Sequence, residues 1–249
     1  MPDEGQEGIL ISSGGHRLLG TLFTAWGAGP GPTALLLHGM PGIELNYDLA
    51  LALREHGWNS LVFHYRGCGG SGGDYTVRTL PEDVRAAVDE LVSGRHGRVD
   101  PDRIVLIGHS MGGWAALQAA CHPRVKAVAV LAAASDPGSL PFANPEAAAE
   151  ITDFLQGITP DGFIAQWRAL DQIPAALDQA ARIAPRPLLI VHGAQDSTVP
   201  AAQSRALRER VGEPCRLVLH PEANHSFTRH RPWLRGLLLD WLASLPEGG

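Results

Sequence analysis

Apolar positions along this chain fall into short continuous runs separated by segments of helical period. Thr33–Leu37, Ser60–Tyr65, Ile104–Ile107, Ala127–Ala133, Leu188–Val191 and Arg216–Leu219 are the runs. A strand covered on both faces has no polar side to alternate with, so they predict strands of a parallel sheet buried between two layers. Between them, Tyr47–His56, Pro81–Ser93, Met111–Ala120, Ala201–Val211 and Pro232–Leu245 predict helices. Strand and helix alternating in this way build βαβ units. Ahead of the alternation, Ile9–Ser12 and Arg17–Ala25 flank Gly14-Gly15 and predict an antiparallel hairpin, after which the Gly/Pro cluster Gly27–Pro32 breaks the chain.

One segment departs from the rhythm. Ser135–Ala184 places fifty residues between two predicted strands, with Phe154 and Ile158, then Phe163, Trp167 and Leu170, at helical spacing between breaks at Pro141, Pro145, Pro160 and Pro174. That is too long for a plain crossover, so a helical insertion standing over the sheet edge is expected. Its apolar face, Phe154, Ile158, Phe163, Trp167 and Leu170, is a candidate substrate-pocket wall. The segment also carries seven acids against two arginines, most of the chain's net charge of −6. Over a pocket mouth this would disfavour anionic substrates; on a remote solvated helix face it would do nothing.

With 249 residues, 45% apolar and 18% charged side chains, the composition suits one globular domain over 1–249 and excludes collagen, coiled coil and disordered tail. The acidic balance and the lack of a Lys/Arg run argue against nucleic acid as a partner. Met1–Gly8 is polar and acidic, and the longest apolar run, Ala127–Ala134, is far short of a membrane span, so the cytoplasm is the expected location. Cys68, Cys121 and Cys215 are odd in number and have no CxxC spacing, which predicts free structural thiols.

The strongest chemical signal is Gly108-His109-Ser110-Met111-Gly112, between the strand Arg103–Ile107 and the helix that opens at Met111. A serine on so sharp a strand-to-helix turn presents its Oγ above the sheet, and the turn closes only if the residues two before and two after lack bulk. The N–H of Met111, at the helix N-terminus, then faces any oxyanion formed on Ser110. A serine hydroxyl needs a base, and the base needs a carboxylate to hold its tautomer. Asp196 lies on the loop after Leu188–Val191, and His225 on the loop after Arg216–Leu219. Asp136, one strand earlier, is the alternative acid, while His220, ending its strand beside Pro221, reads as structural.

After the first parallel strand comes His38-Gly39-Met40-Pro41-Gly42, where the Met40 N–H is the candidate second oxyanion donor and Gly39 and Gly42 let the backbone curl. Arg66-Gly67-Cys68-Gly69-Gly70-Ser71-Gly72-Gly73 contains the spacing of a dinucleotide fingerprint. That fingerprint must open a helix, however, and here Asp74-Tyr75-Thr76 intervene before the helix near Pro81. A flexible loop at the site's rim is expected instead. No metal-ligand spacing such as H-E-x-x-H occurs, so neither metal nor cofactor is expected.

In this order and spacing, HGMPG, RGCGGSGG, GHSMGG, HGAQDSTVP and ANHSF resemble the serine-type α/β-hydrolases, over about Thr33–Leu245, and are most similar to short carboxylesterases related to the prolyl-oligopeptidase-like hydrolases without a propeller. The resemblance implies a mostly parallel sheet of about eight strands flanked by helices. It further implies Ser110 as nucleophile, His225 as base, Asp196 as acid and the Met40 and Met111 amides as oxyanion hole. His64 departs from the pattern, standing where relatives often have Asp before Tyr-Arg-Gly, and Ser135–Ala184 matches no recognised cap. The expected activity is hydrolysis of a small-molecule carboxylic ester through an acyl-enzyme. Thioester or small-peptide hydrolysis would use the same apparatus, and a silent ligand-binding homologue is the alternative of another class.

Overall fold

The computed structural model describes residues 5–27, 29–173 and 175–246; parts of the acidic N-terminus and of the Gly27–Pro32 break, and Pro174, fall outside them. The strands are β1 (Gln6–Ser13), β2 (His16–Phe23), β3 (Gly31–Leu37), β4 (Asn59–Phe63), β5 (Val99–His109), β6 (Val125–Leu131), β7 (Leu188–Gly193) and β8 (Cys215–His220). They form one eight-stranded sheet in the order β1-β2-β4-β3-β5-β6-β7-β8. The predicted hairpin is present, with Ser13 opposite His16, and β2 runs antiparallel to both β1 and β4. Every pairing from β4 onward is parallel.

The helices are α1 (Tyr47–Glu55), α2 (Leu80–Leu91), α3 (Met111–Ala119), α4 (Pro145–Thr152), α5 (Pro160–Arg168), α6 (Ala176–Ala180), α7 (Ala202–Arg210) and α8 (Arg231–Ala243). The continuous apolar runs have the predicted cause. Along β3, Leu35 and Leu37 join one core layer, with α2 and α3, while Ala34 and Leu36 join the other, with α1 and α8. β5 repeats this with Ile104 and Leu106 against Val105 and Ile107. Two covered faces leave no room for a polar alternation. α3 is buried along nearly its whole length, which is why Met111–Ala119 is apolar all round rather than striped.

The segment between β6 and β7 holds α4, α5 and α6, as expected of a helical insertion. Its apolar residues face inward: Phe163 and Trp167 stack at 5.4 Å and are buried, and Leu170 joins them in the core. Phe154 is instead exposed. The segment is stitched to the glycine-rich stretch after β4. Gln156 N–H donates to Gly67 O at 2.8 Å, Tyr75 N–H donates to Gln156 O at 2.9 Å, and Cys68 bridges to Leu155.

That glycine-rich stretch is not the loose rim loop its composition suggested. The Arg66 guanidinium pairs with the buried Asp83 carboxylate at 2.7 Å, and Ser71, also buried, donates to His64 O and accepts from Leu19 N–H. Its glycines answer close approach: a β-carbon on Gly67 would meet Tyr75 N at 2.3 Å, and one on Gly69 would meet the His64 ring at 2.2 Å. Burial raises the Cys68 thiol to about 12, so it stays protonated. All three cysteines are free thiols. Among the described residues no helix is long and apolar enough to cross a membrane.

Candidate active site

Four strands deliver the predicted chemistry at their carboxyl ends, where open α/β sheets place their ligands. β5 ends at His109, and Ser110 follows with φ +55° and ψ −121°, a left-handed conformation that costs a non-glycine residue strain. The glycines on either side allow it. A β-carbon on Gly108 would meet Gly112 O at 2.3 Å, and one on Gly112 would meet Leu37 O at 2.1 Å. The turn is held by Ser110 N–H donating to Leu131 O at 2.9 Å, while Ser110 O accepts from Gly113 and Ala134 N–H groups.

β7 and β8 bring Asp196 and His225 together. Ala194 N–H donates to His220 O at 2.8 Å and Gln195 N–H to Ala223 O at 3.0 Å, lacing the two following loops. Gly193 allows this closeness, since a β-carbon there would meet Ala223 O at 2.1 Å. Phe227, fully buried, anchors the second loop in the core. The result is a 2.7 Å hydrogen bond between His225 Nδ1 and Asp196 Oδ2. The Asp196 side chain is buried, which alone would raise its pKa, but hydrogen bonds from His192 and His225, the His225 charge and the Val199 N–H hold the carboxyl well below the usual range. An ionised carboxylate only accepts, so Nδ1 of His225 carries the proton and Nε2 offers its lone pair.

Ser110, His225 and Met40 line one cavity of about 220 Å³, with Gly39, Pro41, Ile43, Glu44, His109 and Ser226. Gly39 lies against Ser110, a β-carbon there meeting Ser110 Cβ at 2.9 Å, and Gly42 lies against the His38 ring. Met40 borders this cavity, whereas Met111 is buried and does not border it; neither N–H donates to a protein acceptor among the described residues. Ser110 Oγ also has no hydrogen-bond partner among these residues.

The alternatives fall elsewhere. Asp136 is exposed, and its backbone pairs with Gln203. His220 packs between His230 at 4.0 Å and Trp233 at 4.5 Å and accepts the Glu222 N–H, a structural setting. None of the five expected pocket-wall residues borders the Ser110 cavity. Trp167 and Leu170 line a separate cavity of about 970 Å³, with Trp114, Asp136, Asp171 and Asp178; Phe163 is core and Phe154 faces solvent. Helical spacing identified the inward side at Phe163, Trp167 and Leu170, which covers the core rather than Ser110; Phe154 and Ile158 lie between α4 and α5, outside any helix, and Phe154 is exposed.

Three residues missed at the sequence level shape the cavity and its surroundings. His109, buried, donates from Nε2 to His225 O at 3.0 Å, and its ring packs at a tilt against the His225 ring, 4.9 Å between centroids. Burial and the His225 charge lower its pKa to about 4, keeping it neutral. Ser226 Oγ donates to Glu44 at 2.8 Å, and Arg231 joins Glu44, Asp48, Asn46 and Ser226 O, tying the histidine loop to the entry of α1. Position 109 is visible in the motif only as the residue before the serine, and Glu44 and Arg231 carry no motif at all.

A serine on a sharp turn after β5, an aspartate after β7 and a histidine after β8, on this strand order, fit the α/β-hydrolase fold. Residues 34–235 match the Alpha/beta hydrolase family, and the chain belongs to it. It is 32% identical over 225 residues to the uncharacterized protein Rv2307c of Mycobacterium tuberculosis, covering 89% of this chain and 73% of that protein. The esterase YjfP of Escherichia coli is 32% identical over 136 residues, 52% of this chain and 51% of YjfP. Among solved structures, the ferulic-acid complex of Est1E from Butyrivibrio proteoclasticus is similar in fold, with a TM-score of 0.77 at 24% identity over 95% of this chain and 98% of Est1E.

Proposed function

We propose that this protein is a serine hydrolase that cleaves carboxylic esters through an acyl-enzyme. The carrying observation is that His225, hydrogen-bonded to Asp196, shares a cavity wall with Ser110, itself held on a strained, glycine-flanked turn. His225 Nε2 takes the Ser110 proton as Oγ attacks the ester carbonyl, and Asp196 stabilises the imidazolium. The N–H groups of Met40 and Met111 hold the oxyanion. His225 then returns the proton to the departing alcohol, and water repeats the sequence on the acyl-serine. Membership of the family and the likeness to the esterase YjfP support this reading.

The cavity of about 220 Å³ lies below the roughly 300–1,000 Å³ typical of sites for drug-sized ligands, which favours short acyl groups. A fluorophosphonate probe followed by a series of p-nitrophenyl esters tests the proposal. Labelling of Ser110 with turnover of short-chain esters supports it, and an unlabelled, inert protein rejects it.

A further inference from the structure

Asp196 Oδ2 receives a second imidazole. His192, at the end of β7 and fully buried, lies with Nε2 3.1 Å from Asp196 Oδ2 and 2.9 Å from Val199 O, while its Nδ1 is 2.6 Å from Ser204 Oγ on α7. Nε2 therefore faces a carboxylate and a carbonyl, both acceptors, and must carry the ring proton. Nδ1 is then a lone pair, and the Ser204 hydroxyl donates to it.

We propose that His192 and Ser204 are positioning residues for the Asp196–His225 pair, an inference that rests on the triad reading above. Oδ1 of Asp196 is fixed by the N–H groups of Thr198 and Val199, at 2.9 and 2.8 Å. Two amides on one oxygen leave the carboxylate plane free to tilt. The Nε2–H of His192, given to Val199 O at 2.9 Å with Oδ2 as a second, longer acceptor at 3.1 Å, braces that plane, so that the remaining lone pair of Oδ2 points at His225 Nδ1. Ser204 holds the His192 tautomer: without its hydroxyl the proton can move to Nδ1, which would set a lone pair against the carboxylate. His192 does not border the Ser110 cavity, so its effect on turnover runs through Asp196.

Three variants decide this: His192→Leu removes both ring nitrogens, His192→Gln replaces Nε2–H with an amide donor, and Ser204→Ala frees the tautomer. On p-nitrophenyl acetate, His192→Leu is expected to lower kcat on the order of 10–100-fold, the cost of a misplaced reacting group, with KM nearly unchanged. His192→Gln should restore most of kcat, and Ser204→Ala should fall between. The low-field proton resonance of His225 Nδ1 should weaken in the leucine variant and persist in the glutamine variant. A folded His192→Leu protein with wild-type kcat and an unchanged resonance overturns the proposal. So does a ¹⁵N spectrum placing the His192 proton on Nδ1. If the leucine variant fails to fold, Ser204→Ala and the ¹⁵N tautomer decide between the same two outcomes. The resonance arms need no turnover, so they separate failure of this inference from failure of the hydrolase reading, which Ser110 labelling reports.

Discussion

Gly39 and Ser110 touch across the gap between β3 and β5, so closely that a β-carbon on Gly39 would lie 2.9 Å from Ser110 Cβ. A side chain at 39 must displace either the nucleophile or the Met40 amide beside it. Gly39→Ala is expected to fold and to lose kcat by at least tenfold, because the proposed oxyanion donor Met40 N–H would act only when preorganised. Wild-type kcat in the purified variant would detach this loop from the chemistry.

Ser110→Ala removes one oxygen from a turn whose main-chain hydrogen bonds it leaves intact. Turnover should fall on the order of 10⁴-fold with the thermal midpoint nearly constant. Ester hydrolysis and differential scanning fluorimetry on one preparation check both halves.

Asp196→Asn keeps the shape but favours the wrong imidazole tautomer, and kcat should fall by about 10⁴-fold. Asp136→Asn, on an exposed carboxylate, should leave kcat within about twofold. A crippling Asp136 variant would move the acid one strand back.

His38 and His109 are buried neutral, and burial lowers both to about 4. The unfolded chain binds these protons near 6.5, so native stability is full above that pH and is lost as pH falls toward 4, at up to about 1.4 kcal/mol per pH unit for each ring. Urea midpoints should drop between pH 7 and 5, and His38→Gln should flatten the drop. An equal slope in that variant would assign the acid sensitivity to other groups.

Glycines separate by their surroundings. Gly112→Ala meets Leu37 O and should cost several kcal/mol or abolish folding, whereas Gly236, inside α8 with nothing within 4 Å, should gain about 0.5–1 kcal/mol on change to alanine. Chemical denaturation of both variants reads the contrast.

Sequence made the sheet legible because buried parallel strands leave continuous apolar runs, and the positions of Ser110, Asp196 and His225 beyond strand ends were legible because each follows such a run. The strand ends moved by a few residues; β5, for example, begins at Val99, since Asp100, Pro101 and Asp102 lie outside any apolar run yet are still extended. Pocket walls were not legible. Spacing in Ser135–Ala184 shows which residues share a helix face but not what that face meets, and Phe163 and Trp167 join the same core cluster as α3. The site's true walls, Ile43, Glu44 and Ser226, come from loops without periodicity. His192 was hidden by having the wrong context: a histidine closing a buried strand looks like packing until its four-residue offset from Asp196 is seen in three dimensions.

The loops of β7 and β8 are laced to each other, while Ser110 and Met40 belong to β5 and β3, and only β6 lies between. The centre thus spans a seam in the one sheet, with Asp196 and His225 on one side of β6 and Ser110 and Met40 on the other. The His109 ring, bonded across to His225 O, is a rivet over that seam. A perturbation that opens the β6–β7 pairing would disarm the protein while leaving each side internally whole, so loss of turnover on heating or in mild denaturant should precede loss of the sheet's circular-dichroism signal.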